Sequence, residues 1–153
     1  MKISFFVPGI PKTAGSKRGI PIYRGKKGQK VFTGHVAVVE SCEKSKDWRG
    51  DVIKFATEAY KGPLIKDAIR LKVWFCFPRP KSHYGTGRNK DMIKEAAPDF
   101  HTKKPDATKL LRAVEDALTG VIWKDDAQII KQTVDKDYVH GGNKPGAIIE
   151  IYY

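Results

Sequence analysis

The sequence predicts an α+β fold, a single domain over residues 1–153 in which two main helices pack on a mixed or antiparallel sheet. Three observations predict it. With 153 residues, 41% of them hydrophobic and 10% aromatic, the chain can close one core, which argues against intrinsic disorder and against several domains. Strand-like and helix-like segments are mixed without the regular βαβ alternation of a parallel sheet. No internal repeat interrupts the pattern.

The elements follow in order. ISFFV at 3–7 opens the chain as a strand, and GIPIYRGKKGQKVFT at 19–33 reads as two short strands around a Gly/Lys turn. Lys26 and Lys27 make the tip of that hairpin almost purely cationic. From Ser41 to Tyr60, Trp48, Val52, Phe55, Ala56 and Ala59 recur at helical spacing, and Gly62-Pro63 stops the run. AIRLKVWFCF at 68–77 alternates and then becomes continuously apolar, as in a strand near the middle of a sheet, until Pro78 and Pro80 end it. Residues 79–105 carry little periodic apolar content and are too long for an ordinary connection. They are expected to be a mobile basic loop that brings Arg79, Lys81, Arg88, Lys90, Lys103 and Lys104 to a ligand. A helix at 106–118, a short strand or turn at VIWKDD, a strand at 127–139, a Gly141-Gly142 turn and a last strand AIIEIYY complete the chain.

Twenty-nine Lys+Arg against seventeen Asp+Glu give a net charge of +12, and the first acid is Glu40. Such an excess suits a polyanion, nucleic acid before an acidic membrane surface. No apolar run approaches the ~18 to 20 residues of a membrane span, and the N-terminus lacks a signal-peptide h-region, so a cytoplasmic location is expected. Cys42 and Cys76 belong to no CxxC or Cys/His cluster and read as reduced packing residues. His35, His83, His101 and His140 are scattered without HExxH spacing, although His101, just before KKPD, is placed to meet a phosphate. Neither a Walker loop nor a GxGxxG turn is present, so no nucleotide cofactor is expected.

PDATKLLRAVEDALTG is the segment with chemistry. On a helical wheel Leu110, Leu111, Val114, Ala117 and Leu118 share one face, and Lys109, Arg112, Glu115 and Asp116 the other. Asp106 at its start either caps the helix or faces a cation. Asp125 and Asp126 in WKDDAQ are either a solvated turn or metal ligands. If the WKDD edge lies beside the N-terminus of the preceding helix, Asp106 and Asp126 converge on one Mg²⁺, a hard cation content with one or two carboxylates and several waters. Such an ion polarises a phosphodiester and activates water.

KKPDATKLLRAVEDALTG followed by VIWKDDAQI resembles the signature of the RusA family of Holliday junction resolvases: Pro-Asp, a second Asp two residues on, an apolar helix bearing a Lys and ending Asp-Ala-Leu, then apolar-x-Asp-Asp-x-Gln. The resemblance implies a RusA-like fold and a homodimeric, Mg²⁺-dependent endonuclease, with Mn²⁺ able to substitute, that makes paired symmetric nicks in four-way DNA junctions. It puts the first aspartate on Asp106, the later pair on Asp125 and Asp126, with Asp126 the metal-binding member, and the catalytic lysine on Arg112. The second aspartate falls on Thr108, a neutral hydroxyl that removes one negative charge from the metal site; Asp125 is the preferred source of a replacement oxygen. Arg112 suits electrostatic stabilisation of a phosphate and pairs equally well with Glu115 or Asp116. Lys103, Lys104 and Lys109 flank the site, with Arg88, Lys81, Lys26 and Lys27 further along the expected DNA path. The alternative is a basic junction-binding protein that has lost its metal carboxylate at Thr108; an RNA-binding protein is a third reading.

Overall fold

In chain order the elements are β1 (Lys2–Pro8), β2 (Lys17–Arg24), β3 (Val31–Glu40), α1 (Glu43–Ala59), β4 (Ile69–Phe77), α2 (Ala107–Leu118), β5 (Ile129–Tyr138) and β6 (Gly146–Tyr152). They are seen in a computed structural model, which describes residues 1–13, 17–26, 29–40 and 43–153. Four strands form one sheet in the order β1-β6-β4-β5, with β1/β6 and β6/β4 antiparallel and β4/β5 parallel. This is the mixed sheet the sequence predicts, with β4 inside it. A parallel pair needs a crossover, and the segment from 78 to 128, with α2 in it, supplies one.

Period-two burial sets the layers. In β4, Ile69, Leu71, Val73, Phe75 and Phe77 are buried and the residues between them are not. With Val7, Ile149 and Ile151 they meet the apolar stripes of α1 (Trp48, Val52, Ala56) and α2 (Leu110, Val114, Ala117, Leu118) in one core. Ala59, expected on the α1 stripe, is exposed. Both helices lie on the same side of the sheet, and the other side is open. Among the described residues no helix is long and apolar enough to cross a membrane.

The expected hairpin exists as a two-stranded ribbon of β2 and β3, which pair only with each other. Ile20, Ile22, Tyr23, Val31, Phe32 and Val36 stand exposed on it. Lys26 at its turn is exposed, whereas Lys27, and also Cys42, lie outside the described residues. Cys76 is a free, half-buried thiol whose pKa burial pushes up.

The long connection after β4 has more structure than its composition suggests. It holds 3-10 turns at Lys81–His83 and Gly87–Asn89, an isolated bridge between Tyr84 and Ile93, and backbone bonds from His101 N to Lys136 O and Tyr138 N to Asp99 O. Arg79 corrects an expectation. Its side chain is 1% exposed and spends its donors inside the protein, on the carbonyls of Pro98 at 2.8 Å and Val139 at 3.2 Å, with the guanidinium over the Tyr138 ring. It staples the connection to the end of β5 and does not reach a ligand, because its buried guanidinium finds its partners in two backbone carbonyls. Lys81, Arg88, Lys90, Lys103 and Lys104 are exposed.

Candidate active site

Asp106 begins α2. Its carbonyl accepts the first helical bond, from Leu110 N at 3.1 Å, and its backbone is extended, as at an N-cap, yet its side chain caps nothing. The carboxylate turns instead to Lys109 Nζ at 3.2 Å, and both groups are more than half exposed. The capping reading therefore fails, and the charge faces outward. Lys103, Lys104 and Lys109 surround this end in solvent.

Opposite the buried face of α2, Thr108, Arg112, Glu115 and Thr119 follow at i, i+4, i+7 and i+11, so they form one stripe. The stripe runs beside edge strand β5, where Gln132 Nε2 donates to Glu115 Oε1 and Lys136 Nζ donates to the carbonyls of Lys103, at 2.7 Å, and Pro105. Arg112 is exposed and joins no ion pair among the described residues. Asp116 meets Arg49 through its backbone carbonyl, at 2.7 Å, and its carboxylate forms no ion pair with Arg112 among the described residues.

Past the C-terminus of α2 the chain turns through VIWKDD. Trp123 is wholly buried, and its indole nitrogen lies 3.0 Å from Asp126 Oδ1 and 3.2 Å from Thr119 Oγ1. The Thr119 hydroxyl also contacts Asp126 Oδ1. Asp126 is thus held against the far end of the stripe, beside Glu115. The pKa of Glu115 is pushed up, first by its burial and then by the charges of Asp126 and Asp116, against the pull of Gln132 and Arg112. A half-buried carboxylate next to a second one, in a protein this basic, is the kind of perturbed group that marks functional sites.

Asp125 has a different task. Its Oδ1 accepts from Ala127 N at 2.8 Å, and Gln128 Oε1 accepts from Asp125 N at 2.9 Å, a capping box for the 3-10 turn Asp126–Gln128. Gln128 Nε2 then ties the turn to the carbonyls of Ile65 and Asp67, at 3.0 Å each. Asp125 therefore holds, through Oδ1, the turn that aims Asp126.

The structure does not bring Asp106 and Asp126 together in one chain. Asp106 stands at the N-terminal end of α2 and Thr119 at the C-terminal end, thirteen steps at ~1.5 Å, or about 20 Å. Asp126 sits on Thr119. The expected condition, a WKDD edge beside the helix N-terminus, is not met, because the short connection from α2 to β5 keeps the turn at the C-terminal end. Among the described residues no three His, Cys, Asp or Glu gather as metal ligands. Glu115 and Asp126, whose charges act on one another at this end of the stripe, are carboxylates of the kind a hard divalent cation uses while it keeps its waters.

Glu115, Thr119, Trp123 and Gln132 were not singled out from the sequence as site residues, although Glu115 and Thr119 continue the helical stripe begun at Thr108. His101 stacks on Phe77 at 4.2 Å, half-buried, and so serves packing and not a phosphate.

The chain is 28% identical over 120 residues to the uncharacterized protein YqaN of Bacillus subtilis (strain 168), a match that covers 78% of this chain and 83% of that one. Residues 23–152, which include every group of the α2–WKDD unit, match the family described as endodeoxyribonuclease RusA. The basic charge, the mixed sheet and the helix ending at an acidic turn agree with that match: the chain belongs to the RusA endodeoxyribonuclease family.

Proposed function

We propose that this protein cuts four-way DNA junctions by paired symmetric nicks, as a homodimer that uses Mg²⁺ or, in its place, Mn²⁺. The observation that carries the proposal is the link through Thr119, whose hydroxyl meets both the Glu115 carbonyl and Asp126 Oδ1, with the charge of Asp126 helping to push the Glu115 pKa up, an acidic spot in a chain of net charge +12. Asp126 and Glu115 are the residues to hold the ion. When bound, such an ion neutralises charge on the phosphodiester and activates water.

The chain's own groups divide the remaining work. Arg112, one turn before Glu115 on the stripe, places a permanent charge for the scissile phosphate, where a guanidinium can fork across two oxygens. Lys103, Lys104 and Lys109 fix backbone phosphates at the Asp106 end. Trp123, Thr119 and the Asp125–Gln128 box orient Asp126. Lys81, Arg88 and Lys26 are exposed and free to extend the path of the DNA.

The separation of about 20 Å between Asp106 and Asp126 makes the dimer part of the chemistry. Asp106 of one protomer completes the site built on Asp126 of its partner, and the two-fold axis then supplies two equivalent sites for nicks on opposite strands. The exposed apolar ribbon of β2 and β3 supports a dimer, because an isolated two-stranded ribbon is marginally stable in water.

The test uses a labelled four-way junction with Mg²⁺. Paired nicks that disappear in Asp126→Asn, with binding retained, are the expected result. Tight binding without nicks under any divalent ion would instead identify a junction-binding protein, the reading that the neutral hydroxyl of Thr108 favours.

A further inference from the structure

We propose that the open face of the sheet is a second binding surface for the DNA backbone, centred on Arg70, Lys72, Lys131 and Tyr152. The proposal rests on the reading of the ligand as DNA and adds where a second part of the junction is held.

Strand register generates the surface. Lys2 pairs with Tyr152, Tyr152 with Arg70, and Arg70 with Lys131, so one row across all four strands reads Lys-Tyr-Arg-Lys. All four residues are exposed on the side away from α1 and α2. Like charges directly opposite across strands cost stability, and Arg70 beside Lys131 is such a pair. Of the four groups only Lys2 is neutralised, by Glu150 at 2.8 Å, which also accepts from the Tyr152 hydroxyl. Arg70 and Lys131 join no ion pair among the described residues. With Lys72 from the next row they line a groove of about 230 Å³ whose other walls are Leu71, Thr133 and Tyr152. Three cations line that groove, and the carboxylate beside it, Glu150, opposite Lys72 in the register, is bonded to Lys2 and to the Tyr152 hydroxyl.

Charge decides the occupant. A second copy of this chain seated there in a symmetric pair would set cation against cation, whereas a phosphate backbone offers one negative charge per ~3.4 Å of each strand. From Tyr152 to Lys131 the row crosses two interstrand gaps of ~4.8 Å, the span of about three phosphates. The Tyr152 ring gives an unpaired base or a sugar an apolar floor. The groove and the candidate active site lie on the two sides of one edge strand, since Lys131 on the open face immediately precedes Gln132, whose amide holds Glu115 on the helix side of β5. One arm of a junction cut at that edge can therefore lie back across the open face.

The experiment is an anisotropy titration of a labelled four-way junction with the full chain in EDTA, across a range of salt. Arg70→Glu with Lys131→Glu should weaken binding by about tenfold or more near 0.15 M salt, and should flatten the slope of log affinity on log salt by about two. Lys54→Glu, a change on α1 behind the sheet that matches in charge each single change at Arg70 or Lys131, should stay within about twofold of the wild type. Thermal melts identify any variant that has lost its fold, and the single changes at Arg70 and Lys131 then carry the comparison. An unchanged affinity and slope overturn the proposal, as does better competition by duplex RNA, or a change of oligomeric state showing that the face joins two copies. Nicking in Mg²⁺ at saturating protein is scored separately. Nicks with undiminished binding sink only the second surface, and weakened binding by a protein that never nicks sinks only the nuclease reading.

Discussion

Trp123 Nε1 donates to Asp126 Oδ1 across 3.0 Å, so a wholly buried indole aims a carboxylate that stands in solvent. The ring gains its own stability from the core, and the cost of ordering Asp126 is therefore met by packing that exists without any ligand. Thr119, at the end of α2, fixes the same oxygen from the helix side.

Trp123→Phe should separate that aiming from packing. Most of the ring's burial survives and the N–H donor is lost, so stability should drop by only about 1 to 2 kcal/mol. Nicking of a junction in Mg²⁺ should fall by about tenfold, the equivalent of ~1.4 kcal/mol, with junction affinity in EDTA unchanged. Cleavage at the wild-type rate would show that Asp126 needs no such support.

Subunit mixing examines the composite site. Asp106→Asn and Asp126→Asn should each be inactive as homodimers. After the two are co-refolded, heterodimers carry one site with both native carboxylates and one with neither, and about half of the molecules are heterodimers if pairing is random. Nicks should reappear, and in one strand only for each heterodimer. No recovery, with heterodimers verified by differential tags, would mean that each chain builds its site alone.

How much of this was legible in the chain depended on the range of the signal. The α2 face was readable because the 3.6-residue period of Leu110, Leu111, Val114, Ala117 and Leu118 is local, and β4 because its alternation is complete. Asp125-x-x-Gln128 is also a local signal, a capping box written in four residues, and it gives the first acid of the pair a part in holding the turn. What sequence could not give was that β5 would run beside the polar stripe of α2, since that follows from the parallel pairing of β5 with β4, a contact sixty residues apart. Arg79 was misplaced for the same reason: its acceptors, Pro98 O and Val139 O, come from two distant segments. Glu115 showed nothing unusual until folding placed Asp126 beside it.

Glu115 should trade stability for function. Its pKa is raised above the ordinary glutamate value, by burial first and then by Asp126 and Asp116. The folded state therefore binds this proton more tightly than the unfolded one. The resulting stabilisation is complete below the ordinary value and is lost as pH rises through the folded value, so at neutral pH the ionised group strains the fold. Glu115→Gln should raise the Tm at pH 7 and should lose that advantage near pH 4. In Mg²⁺ titrations of nicking the same variant should need several times more ion, since one of the three carboxylates of the composite site is gone. A lower Tm at pH 7 would show that the bond from Gln132 outweighs the repulsion.

The anchor of the 79–105 connection predicts a second pH effect, with the opposite sign. His83 and His101 sit against the Tyr138 ring, at 4.8 and 5.0 Å, and neither Nδ1 has a partner among the described residues. Both pKa values are depressed. For His83 the cause is burial, followed by Arg79, Lys103 and Lys94; for His101 it is burial, followed by Lys136 and Lys103. No carboxylate contributes to either shift, so a proton on either ring enters a buried site ringed by cations. The stability these groups contribute is present above the ordinary histidine value and is lost as pH falls through it toward the depressed folded value, because the unfolded chain takes up the protons first. The Tm should therefore fall steadily between about pH 7.5 and pH 5. His101→Phe keeps a ring stacked on Phe77 and cannot ionise, so its Tm should vary less over the same range. Limited proteolysis within 79–105 should rise in the wild type at the acidic end and less in the variant. Parallel curves for the two proteins would show that this histidine is charged in the folded state or does not bear on the anchor.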